Sequence, residues 1–252
     1  MELGQLIDKD ISNILIVTDS NVFAKSGAQE AVLSQLKDVS ITIFDEVEEN
    51  PSFATINKGA KIAREKNAEL ILGVGGGSPI DTAKGIAALA TNKGSIQDYL
   101  AGKEITKDPI PVACLPTTSG TGTEVTPYAV FTDIESGKKM CLSNTGIFPK
   151  LSIIDPELTY SMPKQTVVNT GIDVLTHAIE AYLSTDASPL SDLFAIRAIE
   201  IVLKDLNLAA EKDKEAMNSM AYASMLAGIS ITHAGTILLH IMAYPLTVFH
   251  GI

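Results

Sequence analysis

The chain has 252 residues, 46% hydrophobic and 19% charged, enough to bury a real core and inconsistent with a disordered chain. Its formal charge of -11 argues against nucleic acid or an anionic membrane surface as partner, because both would repel it. Its two cysteines, Cys114 and Cys141, make neither a disulfide framework nor a metal-type spacing, and no basic-then-apolar leader opens the chain, so the expected compartment is a reducing cytoplasm.

In chain order, "NILIVTDS" reads as a strand, residues 25–37 as a helix, "ITIFDEV" as a second strand and "SFATINKGAKIAREKN" as a helix. "AELILGVGGGS" is a third strand running into the helix "PIDTAKGIAALA", and "PVACLPTT" is a fourth. This alternation, with β-branched cores, predicts an α/β fold with a doubly wound, mainly parallel sheet covered on both faces. "YAVFTDIESGKKMCLS" reads as a hairpin joined at Ser136-Gly137, and "LSIIDPEL" as a last strand broken by Pro156. Beyond Pro163 the pattern is helical, so residues 1–160 are expected to form an α/β domain and 161–252 an all-helical one.

Residues 216–252 carry no Asp, Glu, Lys or Arg and are mostly apolar. A membrane span needs roughly 20 such residues. His233, His240, Gly228, Gly235, Pro245 and several hydroxyl side chains interrupt the run, however, and a buried helix pair is expected rather than a span.

Two loops stand out. In "GVGGGSPIDTAK", Ser78 suits an N-cap, Pro79 the first helical position, and Asp81 completes an S-x-x-D capping box. Consecutive glycines before a helix N-terminus suit a phosphate, although a purely structural turn has the same composition. The usual dinucleotide fingerprint follows a first strand with an acidic residue downstream; here the glycines follow the third strand and the acidic candidate, Asp19, ends the first. Asp19 could bond ribose hydroxyls and disfavour a 2′-phosphate, or simply cap the next turn. "LPTTSGTGTEVTP" crowds hydroxyls at Thr117, Thr118, Ser119, Thr121 and Thr123 around Gly120 and Gly122, suited to phosphate or carboxamide.

"GIDVLTHAIEAYLS" reads as an amphipathic helix with Ile172, Leu175, Ile179 and Tyr182 on its buried face. Asp173 and His177 sit one turn apart beside that face. Taken alone, such a pair is ordinarily a helix-surface contact, and His240 a satisfied core histidine.

Together, "GGGSPIDTAK", "PTTSGTGTEVT" and "GIDVLTHAIEAY" resemble the iron-containing (group III) alcohol dehydrogenases, from about residue 13 to the last residue. The resemblance implies an N-terminal NAD-binding domain, a C-terminal metal-binding helical domain, and a cleft between them for NAD(P) and one divalent metal, Fe²⁺ or Zn²⁺. Carried over by position, it makes Asp19 the residue linked to NAD preference, Asn50 a cofactor contact, and Gly76, Gly77, Ser78 and Asp81 the pyrophosphate loop. Thr117, Thr118 and Thr121 fall near phosphate and nicotinamide, and Tyr128, Lys139 and Leu158 at further contacts, Tyr128 standing where some relatives have Asn. Asp173, His177 and His240 match metal ligands; one carboxylate with imidazoles suits either ion.

The resemblance also implies a fourth ligand, a histidine that by spacing would fall just beyond Ile252, with neither His250 nor His233 matching it. A strand and glycine turn that precede this region in relatives are missing here, and Tyr244 stands where relatives often carry a histidine near the substrate. If nothing followed, the charge-free segment after Glu215 would be exposed and drive aggregation or oligomerisation. The expected function is NAD-dependent, metal-dependent interconversion of a small primary alcohol and its aldehyde, with a homo-oligomer, a dimer, as the expected assembly. The competing readings are an inactive nucleotide-binding remnant and a polyol or hydroxyacid dehydrogenase of the same superfamily.

Overall fold

The computed structural model describes residues 3–37 and 39–243; Tyr244 and His250 lie outside them. The chain forms two compact units, one of Met1–Pro116 with Pro127–Ile153 and one of Thr117–Thr126 with Ile154–Ile252.

The first unit contains α1 (Leu3–Leu6), β1 (Asn13–Thr18), α2 (Ser20–Lys25), α3 (Ala28–Leu33), β2 (Ser40–Phe44), α4 (Phe53–Glu65), β3 (Leu70–Gly75), α5 (Gly77–Thr91), α6 (Ile96–Leu100), β4 (Val112–Pro116), β5 (Tyr128–Asp133), β6 (Lys138–Ser143) and β7 (Leu151–Ser152). Five strands form one sheet in the order β2-β1-β3-β4-β7, every pair parallel. The order reverses direction after β1, as a doubly wound fold requires. Central β3, "LILGVG", is buried at every position, while edge strand β2 is buried only at Phe44. Parallel sheets need helices on both faces, and Leu15, Val17, Ile71, Ile80, Ala83 and Ile86 share one of the resulting cores.

The predicted hairpin is β5–β6, antiparallel from Tyr128↔Ser143 to Asp133↔Lys138. The single helix expected over 25–37 is instead two short ones. Gly27 breaks it with φ 78°, a left-handed conformation that a continuing helix cannot contain. The predicted last strand shrinks to β7, because Asp155 and Pro156 start a 3-10 turn, Pro156–Thr159.

The second unit is helical: α7 (Lys164–Leu183), α8 (Pro189–Ala210) and α9 (Lys214–Ala234), followed by helical residues 238–243. Ser188 caps α8 with Pro189 behind it, and Asp213 caps α9 by accepting the Ala216 N–H at 2.9 Å. The buried face of α7 is only partly the predicted one: Leu175, packed against the core, and Ile179 are half-buried. Ile172 and Tyr182 are 48% and 45% exposed, whereas Val167, Gly171, Val174, Ala178 and Ala181 are buried. Neighbouring helices present Ala195, Ala198, Ala209, Ala223 and Ala227 to the same core. Small side chains let helix axes approach closely, so the small stripe outcompetes the large apolar one.

The charge-free segment is likewise not an exposed patch through α9: Met217, Met220, Leu226 and Ile231 are buried against the unit's own helices. Leu238, Leu239, Ile241 and Met242, further on, are exposed. Among the described residues, no helix is long and apolar enough to cross a membrane.

Candidate functional site

Within the helical unit, α7 sets Asp173 and His177 one turn apart, and the segment after α9 brings His240 to them. Nδ1 of His177 lies 3.8 Å from Oδ2 of Asp173, and Nε2 of His240 lies 3.5 Å from Oδ1 of Asp173. The two imidazoles stack, centroids 4.3 Å apart and planes within 16°. One donor atom from each residue falls within 4.8 Å of the others, the only such His/Cys/Asp/Glu group among the described residues. His233, which does not match the implied fourth ligand, is exposed and outside this group.

These residues fit a single divalent ion. Ligands about 2.1 Å from one ion lie at most about 4.2 Å apart; the two spans to Asp173 are inside that limit, and the full donor set closes to within 4.8 Å, so a bound ion would draw the two imidazoles slightly together. Nδ1 of His177 is buried with no hydrogen-bond partner among the described residues, and an unprotonated nitrogen there offers a lone pair that a metal would satisfy.

The electrostatics separate the two histidines. Burial holds His177 below the ordinary imidazole pKa, and His240 adds to it, against the pull of Asp173, Glu180 and the Gly120 backbone. His240 moves the other way: burial opposes its charge, but hydrogen bonds to Asp173 and Glu180, with their charges, outweigh it and raise its pKa.

Glu180 was not singled out in the sequence, yet it is buried and joined to this cluster. Its carboxylate accepts the Leu239 N–H at 2.5 Å and hydrogen-bonds Nδ1 of His240. The available signal was spacing: three residues beyond His177 and seven beyond Asp173, Glu180 shares their side of a helix.

The hydroxyl-rich loop belongs to this same unit. Gly122, with φ 61°, packs main chain to main chain on Gly228 of α9; a Cβ on Gly228 would come 2.5 Å from the Gly122 oxygen. Thr232 fastens the loop further by donating to the Val125 carbonyl at 2.9 Å. Thr118 and Thr121 are half-buried, Oγ1 of Thr121 accepts the Thr123 N–H at 3.4 Å, and Leu158 is buried in its 3-10 turn. The Thr117 and Ser119 hydroxyls are buried without hydrogen-bond partners among the described residues.

In the α/β unit, Asp19 and the glycine turn lie at one edge of the sheet, because Thr18 pairs beside Val74 at the carboxyl ends of β1 and β3. Asp19 accepts the Val22 N–H at 2.9 Å, the turn-capping role. Asn50, in the left-handed region at φ 55°, donates its N–H to the Ser78 hydroxyl at 3.2 Å, so these two predicted residues do meet. The predicted capping box is not formed. Helix α5 starts earlier, with Gly76 as N-cap and Gly77 inside, and no side chain caps it. The Ser78 hydroxyl is taken by Asn50, and Asp81 accepts the Val130 N–H at 2.9 Å, tying α5 to the hairpin. An uncapped helix start behind glycines suits an anion. Tyr128 begins β5, its phenol pKa raised by burial and then by Cys141, and its carbonyl accepts Nζ of buried Lys84 at 2.7 Å. Lys139 pairs with Thr132 across the hairpin.

A doubly wound parallel sheet is thus followed by helices that gather one carboxylate and two imidazoles. The model for iron-containing alcohol dehydrogenase matches residues 1–156, and that for the C-terminal part of the same family matches 167–252. The chain belongs to the iron-containing alcohol dehydrogenase family. It is 41% identical over 244 residues to alcohol dehydrogenase 4 of Schizosaccharomyces pombe, covering 95% of this chain and 58% of that protein. The crystal structure of an iron-containing alcohol dehydrogenase from Thermotoga maritima superposes with a TM-score of 0.92 at 40% identity, covering 99% of this chain and 68% of that one. Sulfoacetaldehyde reductase from Bifidobacterium kashiwanohense, solved in complex with NAD⁺, gives a TM-score of 0.91 at 36% identity over 96% of this chain and 65% of that one. The chain thus spans 58% of the length of the first of these relatives.

Proposed function

We propose that the protein carrying this chain is an NAD-dependent, iron-dependent oxidoreductase that interconverts a small primary alcohol and its aldehyde. The observation that carries the reading is the convergence of Asp173, His177 and His240, with Nδ1 of His177 buried and unpartnered. When bound, the ion would supply Lewis-acid polarisation of the substrate oxygen, and NAD a hydride acceptor or donor.

The chain's own residues do the positioning. Burial of His177 favours the neutral, lone-pair-bearing imidazole that ligation needs. Asp173 contributes the one negative charge of the set. The uncapped start of α5, at Gly76, Gly77 and Ser78, is suited to the pyrophosphate. Asp19 at the end of β1 is suited to the ribose, with Asn50, Asp81, Tyr128 and Lys139 as further contacts. Unpartnered hydroxyls in the Thr117–Thr126 loop support a polar guest there, with Thr117, Thr118, Thr121 and Leu158 as its contacts. Family kinship and the NAD⁺ complex of a 36%-identical neighbour support the choice of cofactor. Fe²⁺ is favoured because the family is iron-containing.

The test is consumption of NADH by the purified protein with short aliphatic aldehydes, before and after a chelator. Aldehyde-dependent oxidation that the chelator abolishes and Fe²⁺ restores is expected. NADH binding without metal or turnover would point instead to a nucleotide-binding remnant.

A further inference from the structure

Glu180 is a carboxylate with almost no solvent exposure, and both of its oxygens are committed to one segment of chain. One oxygen accepts the main-chain N–H of Leu239, and the other meets Nδ1 of His240, across 60 positions of sequence. A hydrogen bond to a carboxylate at Nδ1 requires a proton on that nitrogen, so in the neutral ring, the form that can ligate a metal, Nε2 carries the lone pair. Nε2 is the nitrogen that faces Asp173 at 3.5 Å. The ring stacked on His177 is therefore held by its far edge, while its ligating edge is turned into the cluster.

We propose that Glu180 is a positioning residue for the metal: it selects the Nδ1–H tautomer of His240 and anchors the Leu239–His240 main chain so that Nε2 is presented beside Asp173. This rests on the reading that Asp173, His177 and His240 hold a metal. A carboxylate on the outer nitrogen of a ligating imidazole fixes ring orientation and raises the basicity of the inner one. Here the same carboxylate also fixes the backbone, which matters because His240 lies beyond the end of α9 and is not carried by that helix.

The test uses Co²⁺ as probe on the purified protein, with Glu180→Ala and Glu180→Gln alongside. Affinity is read by competition with a colorimetric chelator. The imidazole tautomers are read from long-range ¹H–¹⁵N correlation spectra of metal-free protein at alkaline pH. The expected results are an Nδ1–H tautomer for His240, a loss of Co²⁺ affinity of about 10–100-fold in Glu180→Ala, and a smaller loss in Glu180→Gln, whose amide oxygen still accepts the Nδ1 proton. An Nε2–H tautomer for His240 in the unaltered protein overturns the proposal, whether or not the alanine variant folds. So does unchanged Co²⁺ affinity in Glu180→Ala, which would leave the metal site itself standing. Failure of the unaltered protein to bind Co²⁺ at all would sink the metal reading, and this proposal with it.

Discussion

Replacing Gly228 by alanine tests how the hydroxyl-rich loop is held on the helical unit. In an ordinary helix interior, Gly→Ala is favourable by about 1 kcal/mol through backbone entropy. Here the added Cβ would meet the Gly122 oxygen at 2.5 Å, Cγ2 of Val125 at 2.7 Å and Cα of Gly122 at 2.9 Å. Two of these three atoms are main chain and cannot step aside by changing rotamer, so the loop itself must lift. Overpacking of this kind costs about 1–3 kcal/mol, and main-chain contact places Gly228→Ala toward the upper end. The net expectation is a loss of about 1–2 kcal/mol, or roughly 2–8 °C in Tm for a chain of this size. Gly171→Ala is the control: its nearest neighbour, Cδ1 of Leu206 at 2.3 Å, ends a flexible side chain that can move. Calorimetry and circular dichroism on both variants provide the assay, with Gly171→Ala expected close to the parent. The reasoning is refuted if Gly228→Ala melts at or above the parent, or if Gly171→Ala loses as much.

Two more outcomes follow from groups outside the helical unit. Glu48 accepts the Ser52 N–H at 2.8 Å and the Thr55 hydroxyl at the start of α4; burial opposes its charge, yet these bonds together hold its pKa below the ordinary 4.5. A carboxylate depressed in the folded state contributes stability that is fully present above its unfolded pKa and lost as pH falls through the folded one. Glu48→Gln should therefore lower Tm by a constant amount between neutral pH and about 5, with the gap closing only at more acid pH; a gap that widens on acidification would contradict this. Lys84→Met should cost roughly 1–3 kcal/mol in urea unfolding, because it leaves the half-buried Tyr128 carbonyl without the Nζ–H it accepts at 2.7 Å. A variant as stable as the parent would show that the carbonyl finds another donor.

Much of the fold was legible because its signals are local. The apolar runs of β1, β3 and β4 are continuous, as strands buried on both faces must be, and Ser136-Gly137 marked the hairpin. Misreadings arose where tertiary partners decide. Gly27 looks tolerable inside a helix until its left-handed φ is seen. Ser78 and Asp81 spell a capping box, but Asn50 and Val130, remote in sequence, claim both side chains. On α7 the larger residues suggested one buried face, while packing against alanine-rich helices selected another. The Asp173–His177 pair was visible from its four-residue spacing, and the resemblance pointed to His240. Spacing placed Glu180 on the same side of α7 as Asp173 and His177, but its partners lie about sixty residues away, so spacing alone did not mark it as joined to the cluster.

The most direct test of the central claim is metal content. Purified protein loaded anaerobically with Fe²⁺, then freed of unbound ion, is measured for bound metal by elemental analysis, beside Asp173→Asn and His177→Ala. The account predicts one ion per chain in the parent and loss of most of it in both variants, with folding retained by circular dichroism. Stoichiometric iron in both variants, or none in the parent, would contradict the assignment of Asp173, His177 and His240 as the metal site.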